Sequence, residues 1–409
     1  MRVVKIPVQS HQTYQKPVET KKPPKKTLWV GLGIATATTF QLLRPIPAPT
    51  YTLTTSAKIP SNKTALALPT DGQGAVAAKG FGMLGTSGAQ TQLSTASIAK
   101  VITALCVLER KPLKPGEKGP LITMTKSDVQ FFRDEIERNG SRVDVYEGQK
   151  MSEYQAIQAL MIPSANNIAN TLAIWAFGSL DAYQTYANNY VMRQGLVNTR
   201  IGSDASGYDP STVSSASDLT RLGLLAESNP VLIEIAAQTE ATFAMAGTMT
   251  NYNTLLGQNG INGLKTGNNE QDPGAFLMTG AFLLEGRKVQ YSGAVMGASS
   301  LSEALQNSNR LAASLPINFE KRLVIANGQN VARYETKWGK KGLVRARKEI
   351  SVVRWKGDAI TLSLESQEND AMKTAPTLTV KNGSQVLTQS LRYESMPTHP
   401  SLWWRLTRR

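Results

Sequence analysis

The chain has 409 residues, 41% of them apolar, which is room for two folded domains with ordinary cores plus tails. Cys106 is the one cysteine, so an intrachain disulfide is excluded. The two histidines, His11 and His399, lie near the ends, which argues against a Ser-His-Asp triad or a histidine-rich metal site in the folded body. The formal charge of +15 is concentrated towards the two ends. Without zinc-finger spacing or basic heptads it points to an anionic membrane or wall polymer rather than to nucleic acid.

Residues 1–26 are polar, basic and proline-containing and read as a disordered cytoplasmic tail. Residues 27–43 carry an apolar run from Leu28 to Leu43, a transmembrane signal anchor or a signal peptide cut after Ala35-Thr36-Ala37. At about 1.5 Å per residue the run gives about 25 Å, slightly short of a bilayer core. Seven basic residues before Leu28 predict a cytoplasmic N-terminus and export of the remainder, so the folded body is expected on the extracytoplasmic side of a bacterial cell membrane. Residues 44–64, opening with Pro45 to Pro49, read as an extended linker.

A folded domain is expected over 65–318. Residues 74–78 and 81–85 form a strand pair. A helix runs from Ser97 to Arg110, with apolar residues at 98, 101, 102, 105 and 108 and Cys106 buried among them. Residues 111–150 read as loop-rich, with a short strand near Leu121 to Met124. Helices follow over Ser152 to Met161 and Ala165 to Phe177, separated by Pro163, then over Ser217 to Glu227 and Val231 to Thr239. Three strands cover Gly263 to Thr266, Ala275 to Leu284 and Lys288 to Gly297, the last two joined by a hairpin at Glu285-Gly286-Arg287. A helix over Ser302 to Leu315 closes the domain. This order predicts an α+β fold whose sheet joins early and late strands. Short strands separated by Gly, Asp and Asn make 319–390 a small β-domain. Residues 391–409 form a basic aromatic tail in which Trp403 and Trp404 suit either a membrane interface or packing on that β-domain.

Ser97-Ile98-Ala99-Lys100 places a hydroxyl and an amine one helical turn apart, at a helix start that favours developing negative charge. A lysine of lowered pKa takes a serine proton. Alone, the tetrad is weak evidence and reads first as a helix cap and a solvated lysine. Ser164-Ala165-Asn166 after Pro163 is either a helix cap or a polar bridge to the nucleophile. Lys265-Thr266-Gly267 on a strand offers a cation and a hydroxyl to a carboxylate, with a glycine that lets a substrate backbone approach; it also reads as a solvent-facing strand end.

Together, S-x-x-K, S-x-N and K-T-G at 97, 164 and 265 form the signature of penicillin-binding proteins and serine β-lactamases. From Ala65 to Pro316 the chain resembles the low-molecular-mass penicillin-binding proteins, the serine-type D-alanyl-D-alanine carboxypeptidase family. Supporting phrases are Thr95-Ala96 before the tetrad, Leu113-Lys114-Pro115-Gly116-Glu117, Met161-Ile162-Pro163 and Asn167 around the S-x-N, and Ser206-Gly207-Tyr208-Asp209-Pro210. The resemblance implies a β-lactamase/transpeptidase-like domain, an antiparallel sheet flanked by helices with a helical subdomain, followed by the small β-domain. It implies that Ser97 attacks the bond between two D-alanines of peptidoglycan stem peptides, with Lys100 as base. Ser164 relays the proton, Asn166 holds Lys100 and substrate, Lys265, Thr266 and Gly267 bind the carboxylate end, and the N–H groups of Ser97 and Asn268 form the oxyanion hole. No metal or organic cofactor is implied, and β-lactams are expected to acylate Ser97. Asn268 to Gly274 depart from the small or hydroxyl-rich stretch usual there. D,D-endopeptidase action on cross-links is the nearest alternative. A serine β-lactamase lacks support, because no E-x-x-x-N string lies between S-x-N and K-T-G. A non-catalytic wall-binding protein is disfavoured by the intact motifs.

Overall fold

The computed structural model describes residues 25–268, 273–366 and 372–408. The expected polar tail lies outside them up to residue 24, as do residues 269–272 of the departing stretch.

The centre is a five-stranded antiparallel sheet of β1 (Gln73–Ala78), β2 (Gly82–Ser87), β3 (Ile261–Gly267), β4 (Gly274–Leu284) and β5 (Arg287–Ala298), in the order β3-β4-β5-β1-β2. Early and late strands meet where Ala75 pairs with Ala294 and Val76 with Gly293. Both faces are covered, so the strand residues alternate between two cores rather than between core and water. Ala75, Leu277, Ala294 and Met296 face a helical core. Val76, Phe276, Met278 and Val295 face a second core with Leu311 and Leu315. The turn joining β4 to β5 uses Glu285 and Gly286, both at positive φ, as a two-residue hairpin requires.

The helical side is built on α2 (Ala99–Arg110), in which every residue from Ala99 to Leu108 is buried, Cys106 included. Around it lie α3 (Lys126–Glu137), α4 (Glu153–Met161), α5 (Asn166–Phe177), α6 (Leu180–Arg193), α7 (Ala216–Ala226) and α8 (Pro230–Ala236), while α9 (Leu301–Ala313) covers the other face of the sheet. Two of these were not expected. Helix α3 lies in the stretch read as loop. It starts at a capping box in which the Thr125 hydroxyl accepts from Asp128 N and the Asp128 carboxylate accepts from Thr125 N. Asp128 also accepts the Thr171 hydroxyl at 2.6 Å, which ties α3 to α5. Helix α6 buries Tyr183, Ala187, Tyr190 and Val191, a stripe at i, i+4, i+7 and i+8.

The segment read as a linker is partly sheet. Thr50–Leu53 pairs with Asn330–Glu335, and Lys58–Ile59 pairs with Ile360–Glu365, so the early chain supplies edge strands to the C-terminal β-rich region. Alternation makes this work: Tyr51 and Leu53 turn inward while Thr50 and Thr52 face water. The β-rich region has its own core around Ile325, Val331, Val344, Leu378 and Val380. It meets the central sheet through Phe319, whose ring lies 5.1 Å from Phe81, 5.4 Å from Phe282 and 5.2 Å from Trp355.

The first and last described helices also meet. Helix α1 (Lys25–Leu43) docks against α10 (Leu402–Thr407). Arg408 donates to the carbonyls of Gln41, Arg44 and Pro45, and Arg405 donates to that of Leu42, so arginines cap the end of α1 where its carbonyls lack partners. Trp404 stacks edge-on against Trp338 of the β-rich region at 5.4 Å, while Trp403 is exposed. Among the described residues no helix is long and apolar enough to cross a membrane.

Asn318 joins the two regions. Buried, it accepts from Ala65 N at 2.8 Å and donates to Ala65 O and Ser314 O. Asn318→Ala removes three bonds and strands their partners, and will lower stability by about 2–3 kcal/mol; a urea titration followed by tryptophan fluorescence measures it.

Candidate active site

Ser97 sits in a 3-10 turn, Ala96–Ile98, that runs directly into α2. Ala96 is held at φ +42°, a strained conformation for alanine immediately before Ser97. Lys100 follows on the first turn of α2, with Nζ 2.7 Å from Ser97 Oγ. The amine also donates to Asn166 Oδ1 at 2.7 Å and to Ser206 O at 3.0 Å. Lys100 is wholly buried, and burial brings its pKa down to about 7, against the opposing pull of the Asp204 and Glu135 carboxylates. Near neutrality it is therefore often a neutral amine, its lone pair free to accept the Ser97 hydroxyl proton.

The partners of Lys100 are themselves fixed. Asn166 opens α5, and its N–H donates to Ser141 O at 2.8 Å. Its amide nitrogen donates to Glu135 Oε2 at 2.8 Å, which obliges Oδ1 to face Lys100. Glu135 is fully buried near the end of α3 and ion-paired to Arg138, whose guanidinium lies over the Tyr208 ring. The turn after α3 makes room for it: a Cβ on Gly140 would lie 1.8 Å from Glu135 Oε2. Ser206 is held by Asp204, whose Oδ1 accepts from Ser206 N, Ser206 Oγ and Gly207 N, and whose Oδ2 accepts from Asp209 N. This carboxylate folds the Ser206–Asp209 phrase into a turn that presents the Ser206 carbonyl to Lys100.

Ser164 is not a helix cap. It sits at φ +62°, buried, and its hydroxyl has no hydrogen-bond partner among the described residues. It lines a cleft of about 210 Å³ with Ser97, Ser141, Tyr252, Thr266, Asn268 and Leu301. A second cleft of about 280 Å³ holds Ser97, Asn166, Arg138, Tyr208 and Asn268. Lys265 on β3 is buried rather than solvent-facing and donates to Thr266 O at 3.2 Å. Burial, and then the charge of Lys100, hold its pKa well below the ordinary lysine value. Gly267 serves a contact the sequence did not reveal: a Cβ there would lie 2.7 Å from Thr95 O and 3.0 Å from Ile98, so the missing side chain lets β3 lie against the turn that carries Ser97.

The structure thus brings Ser97, Lys100 and Asn166 into direct contact. It places Ser164, Thr266 and Asn268 around the cleft, with Lys265 close enough to Lys100 for their charges to interact. Sequence reasoning missed Glu135 and Asp204. Asp204, two residues before Ser206-Gly207, had the signal of an aspartate-led turn; Glu135 had none, because its helix was read as loop. Among the described residues no cluster of three or more His, Cys, Asp or Glu side chains is arranged to hold a metal ion. The constellation is a serine with an adjacent buried amine base, suited to nucleophilic acyl transfer.

The rate of Ser97 acylation by a fluorescent β-lactam will rise through about pH 7 as Lys100 loses its proton. Glu135 favours protonated Lys100, so Glu135→Gln lowers the Lys100 pKa and moves this limb to lower pH, by roughly one unit or less for a charge acting through Asn166. Stopped-flow acylation rates between pH 5 and 9 decide this; an unmoved limb removes Glu135 from the electrostatics of the base.

A family model described as D-alanyl-D-alanine carboxypeptidase matches residues 80–299, more than half of the chain. The D-alanyl-D-alanine carboxypeptidase DacA of Escherichia coli (strain K12) is 27% identical over 196 residues, which make up 46% of this chain and 47% of that protein. The chain therefore spans about half the length of the curated relatives it matches. Penicillin binding protein 5 from Haemophilus influenzae superposes with a TM-score of 0.57 at 17% identity, covering 82% of this chain and 98% of that one. The Streptomyces K15 DD-transpeptidase superposes with a TM-score of 0.52 at 22% identity, covering 63% of this chain and 98% of that one. These structural likenesses establish the α+β fold, and the family match establishes the lineage: the chain belongs to the D-alanyl-D-alanine carboxypeptidase family.

Proposed function

We propose that this protein is a serine D,D-carboxypeptidase that removes the terminal D-alanine of peptidoglycan stem peptides through an acyl-enzyme on Ser97. The observation that carries the reading is the 2.7 Å contact between Ser97 Oγ and the buried, pKa-lowered amine of Lys100. Lys100 takes the hydroxyl proton as Oγ bonds to the peptide carbonyl, and the backbone N–H groups of Ser97 and Asn268 receive the oxyanion. The C–N bond then breaks, and the proton passes through the unpartnered Ser164 hydroxyl to the departing D-alanine nitrogen. Asn166 holds the base and the substrate amide. Lys265 and Thr266 take the terminal carboxylate, whose arrival favours the charged form of Lys265. Water then attacks the ester, with Lys100 again as base. β-Lactams acylate the same serine and remain there.

Mass spectrometry of pentapeptide digests will show loss of one D-alanine, with cross-linked dimers cut more slowly; faster cutting of dimers would make the protein an endopeptidase instead. Ser97→Ala will abolish both hydrolysis and fluorescent-penicillin labelling while its circular dichroism stays unchanged. Amidating the substrate C-terminus will cost wild type about 1.5–3 kcal/mol in kcat/KM, the worth of a hydrogen bond to a charged group, and Lys265→Ala will lose this discrimination.

We propose further that the protein is held at the bacterial cell membrane with its catalytic domain on the extracytoplasmic side. Support comes from the basic residues ahead of α1 and from α1 itself. It is not long and apolar enough to cross a membrane as described, but it leaves Trp29, Val30, Leu32, Ile34, Phe40 and Leu43 exposed, and its Thr36, Thr38 and Thr39 hydroxyls all donate to carbonyls of the preceding turn. Exposed Trp403, Arg405 of α10 and Arg408 just after it sit at the end of α1, where a headgroup layer would lie. Membranes from the native cell will release the protein to detergent and not to high salt, with its N-terminus intact; release by salt with an N-terminus near Thr38 would refute the anchor.

A further inference from the structure

Much of the chain's positive charge plays no part at Ser97. Residues 330–349 carry seven basic side chains against two acidic ones. They form a hairpin, Asn330–Glu335 with Lys341–Arg345, in the middle of a four-stranded antiparallel sheet edged by Thr50–Leu53 and Arg392–Tyr393. Alternation sorts the side chains between its two faces. Ala332, Tyr334, Val344 and Ala346 enter the core of the β-rich region, so Arg333, Lys341 and Arg345 share the outer face. Arg392 joins them, because it lies opposite Arg345 on the neighbouring strand. Arg347, just beyond the hairpin, is exposed and donates to Leu391 O at 3.2 Å. Arg333, Lys341 and Arg392 are exposed too, so no described element covers this face.

Its charges are not balanced from within. Glu335 pairs with Lys341 at 3.1 Å, and Glu394 pairs with Arg345. Among the described residues Arg333, Arg347 and Arg392 have no ion-pair partner. Arg345 and Arg392 face each other across two strands, and like charges so placed weaken a sheet unless an anion lies between them. The aromatic side chains of the sheet are turned away from this face. Tyr51, Tyr334 and Tyr393 pack inward, and Trp338 in the hairpin turn is held against Trp404.

We infer that this face binds a linear polymer of repeated phosphodiesters without bases, laid along the hairpin. Guanidinium groups fork onto phosphate oxygens. A flexible polyanion can follow cations that recur about 6.8 Å apart along a strand. A nucleic acid finds no ring here on which to stack its bases. A membrane surface meeting α10 at the Trp338 turn lies near Lys337 and Lys340. Arg345 and Arg347 stand about 13 and 20 Å further along the chain from Lys341, past the ~8 Å over which such surface charge is felt.

The test uses the full-length protein in detergent and a short fluorescent poly(glycerol phosphate), read by anisotropy. Wild type will bind it, and raising the salt from about 50 to 200 mM will weaken binding about twentyfold, the counterion release of three phosphate contacts. The triple variant Arg333→Gln, Arg347→Gln, Arg392→Gln will lose nearly all of this affinity, while Ser97 labelling by a fluorescent penicillin keeps its wild-type rate and reports an intact catalytic domain. Arg392→Gln alone, a milder change, will flatten the salt dependence by about one contact's share. Unchanged affinity and salt dependence in both variants, or no binding by wild type, overturns the assignment. So does equal affinity for single-stranded DNA of matched charge, which would make the face a general anion surface. Tighter binding to nanodiscs of anionic phospholipid, lost in the same variants, would assign the face to the membrane instead.

Discussion

A lysine that removes a proton from serine at neutral pH has to be uncharged part of the time and yet remain aimed. For Lys100 burial supplies the first condition, and three hydrogen bonds supply the second. The two conflict, because a fully desolvated amine loses its proton altogether, and the Asp204 and Glu135 carboxylates limit that loss. The architecture serves this balance. Helix α2 buries the lysine, α5 brings the Asn166 oxygen, the Asp204 turn brings the Ser206 carbonyl, and α3 sets Glu135 behind Asn166. Strand β3 adds a second buried lysine, so the protonation of Lys265 and that of Lys100 are coupled, and a carboxylate bound at one is felt at the other.

The parts of the site readable from sequence were those written in local spacing. Serine and lysine three apart on a helix, a serine and asparagine after a proline, and a lysine-threonine-glycine on a strand keep their meaning in one dimension. The long strands and hydrophobic helices were legible for the same reason. Helix α3 was not: its apolar residues, Val129, Phe131, Phe132 and Ile136, are diluted by charge, and the Thr125–Asp128 capping box was its clearest mark. Helix α6 builds its inner face from tyrosine and alanine, a weak apolar stripe. Residues 50–59 carry strand alternation, but flanking prolines and the nearby apolar run made them look like a tether. Glu135 was beyond reach, since its importance lies in a contact with a side chain 31 residues on.

The two cores on either side of the sheet divide the labour. The helical core positions Ser97 and Lys100. The second core, with Phe319 at its edge, joins the sheet to the β-rich region. Gly267 shows how tightly the first arrangement is drawn, since even one methyl on that strand would collide with the turn that carries the serine.

Because Thr50–Leu53 and Lys58–Ile59 are strands of the C-terminal sheets, the β-rich region is a discontinuous unit into which the whole catalytic domain is inserted. A chain made from its N-terminus emits these strands first, and their partners only about 280 and 300 residues later. Until then the edge strands have nothing to pair with, while the catalytic domain already holds all of its own strands and completes itself. The β-rich region is therefore the last unit to close, and its closure draws the end of α1 and α10 to the same place. A blockage in ribosomal elongation within the final stretch would leave an assembled catalytic domain on an open clasp, a species whose unpaired strand edges invite strand exchange between neighbouring chains.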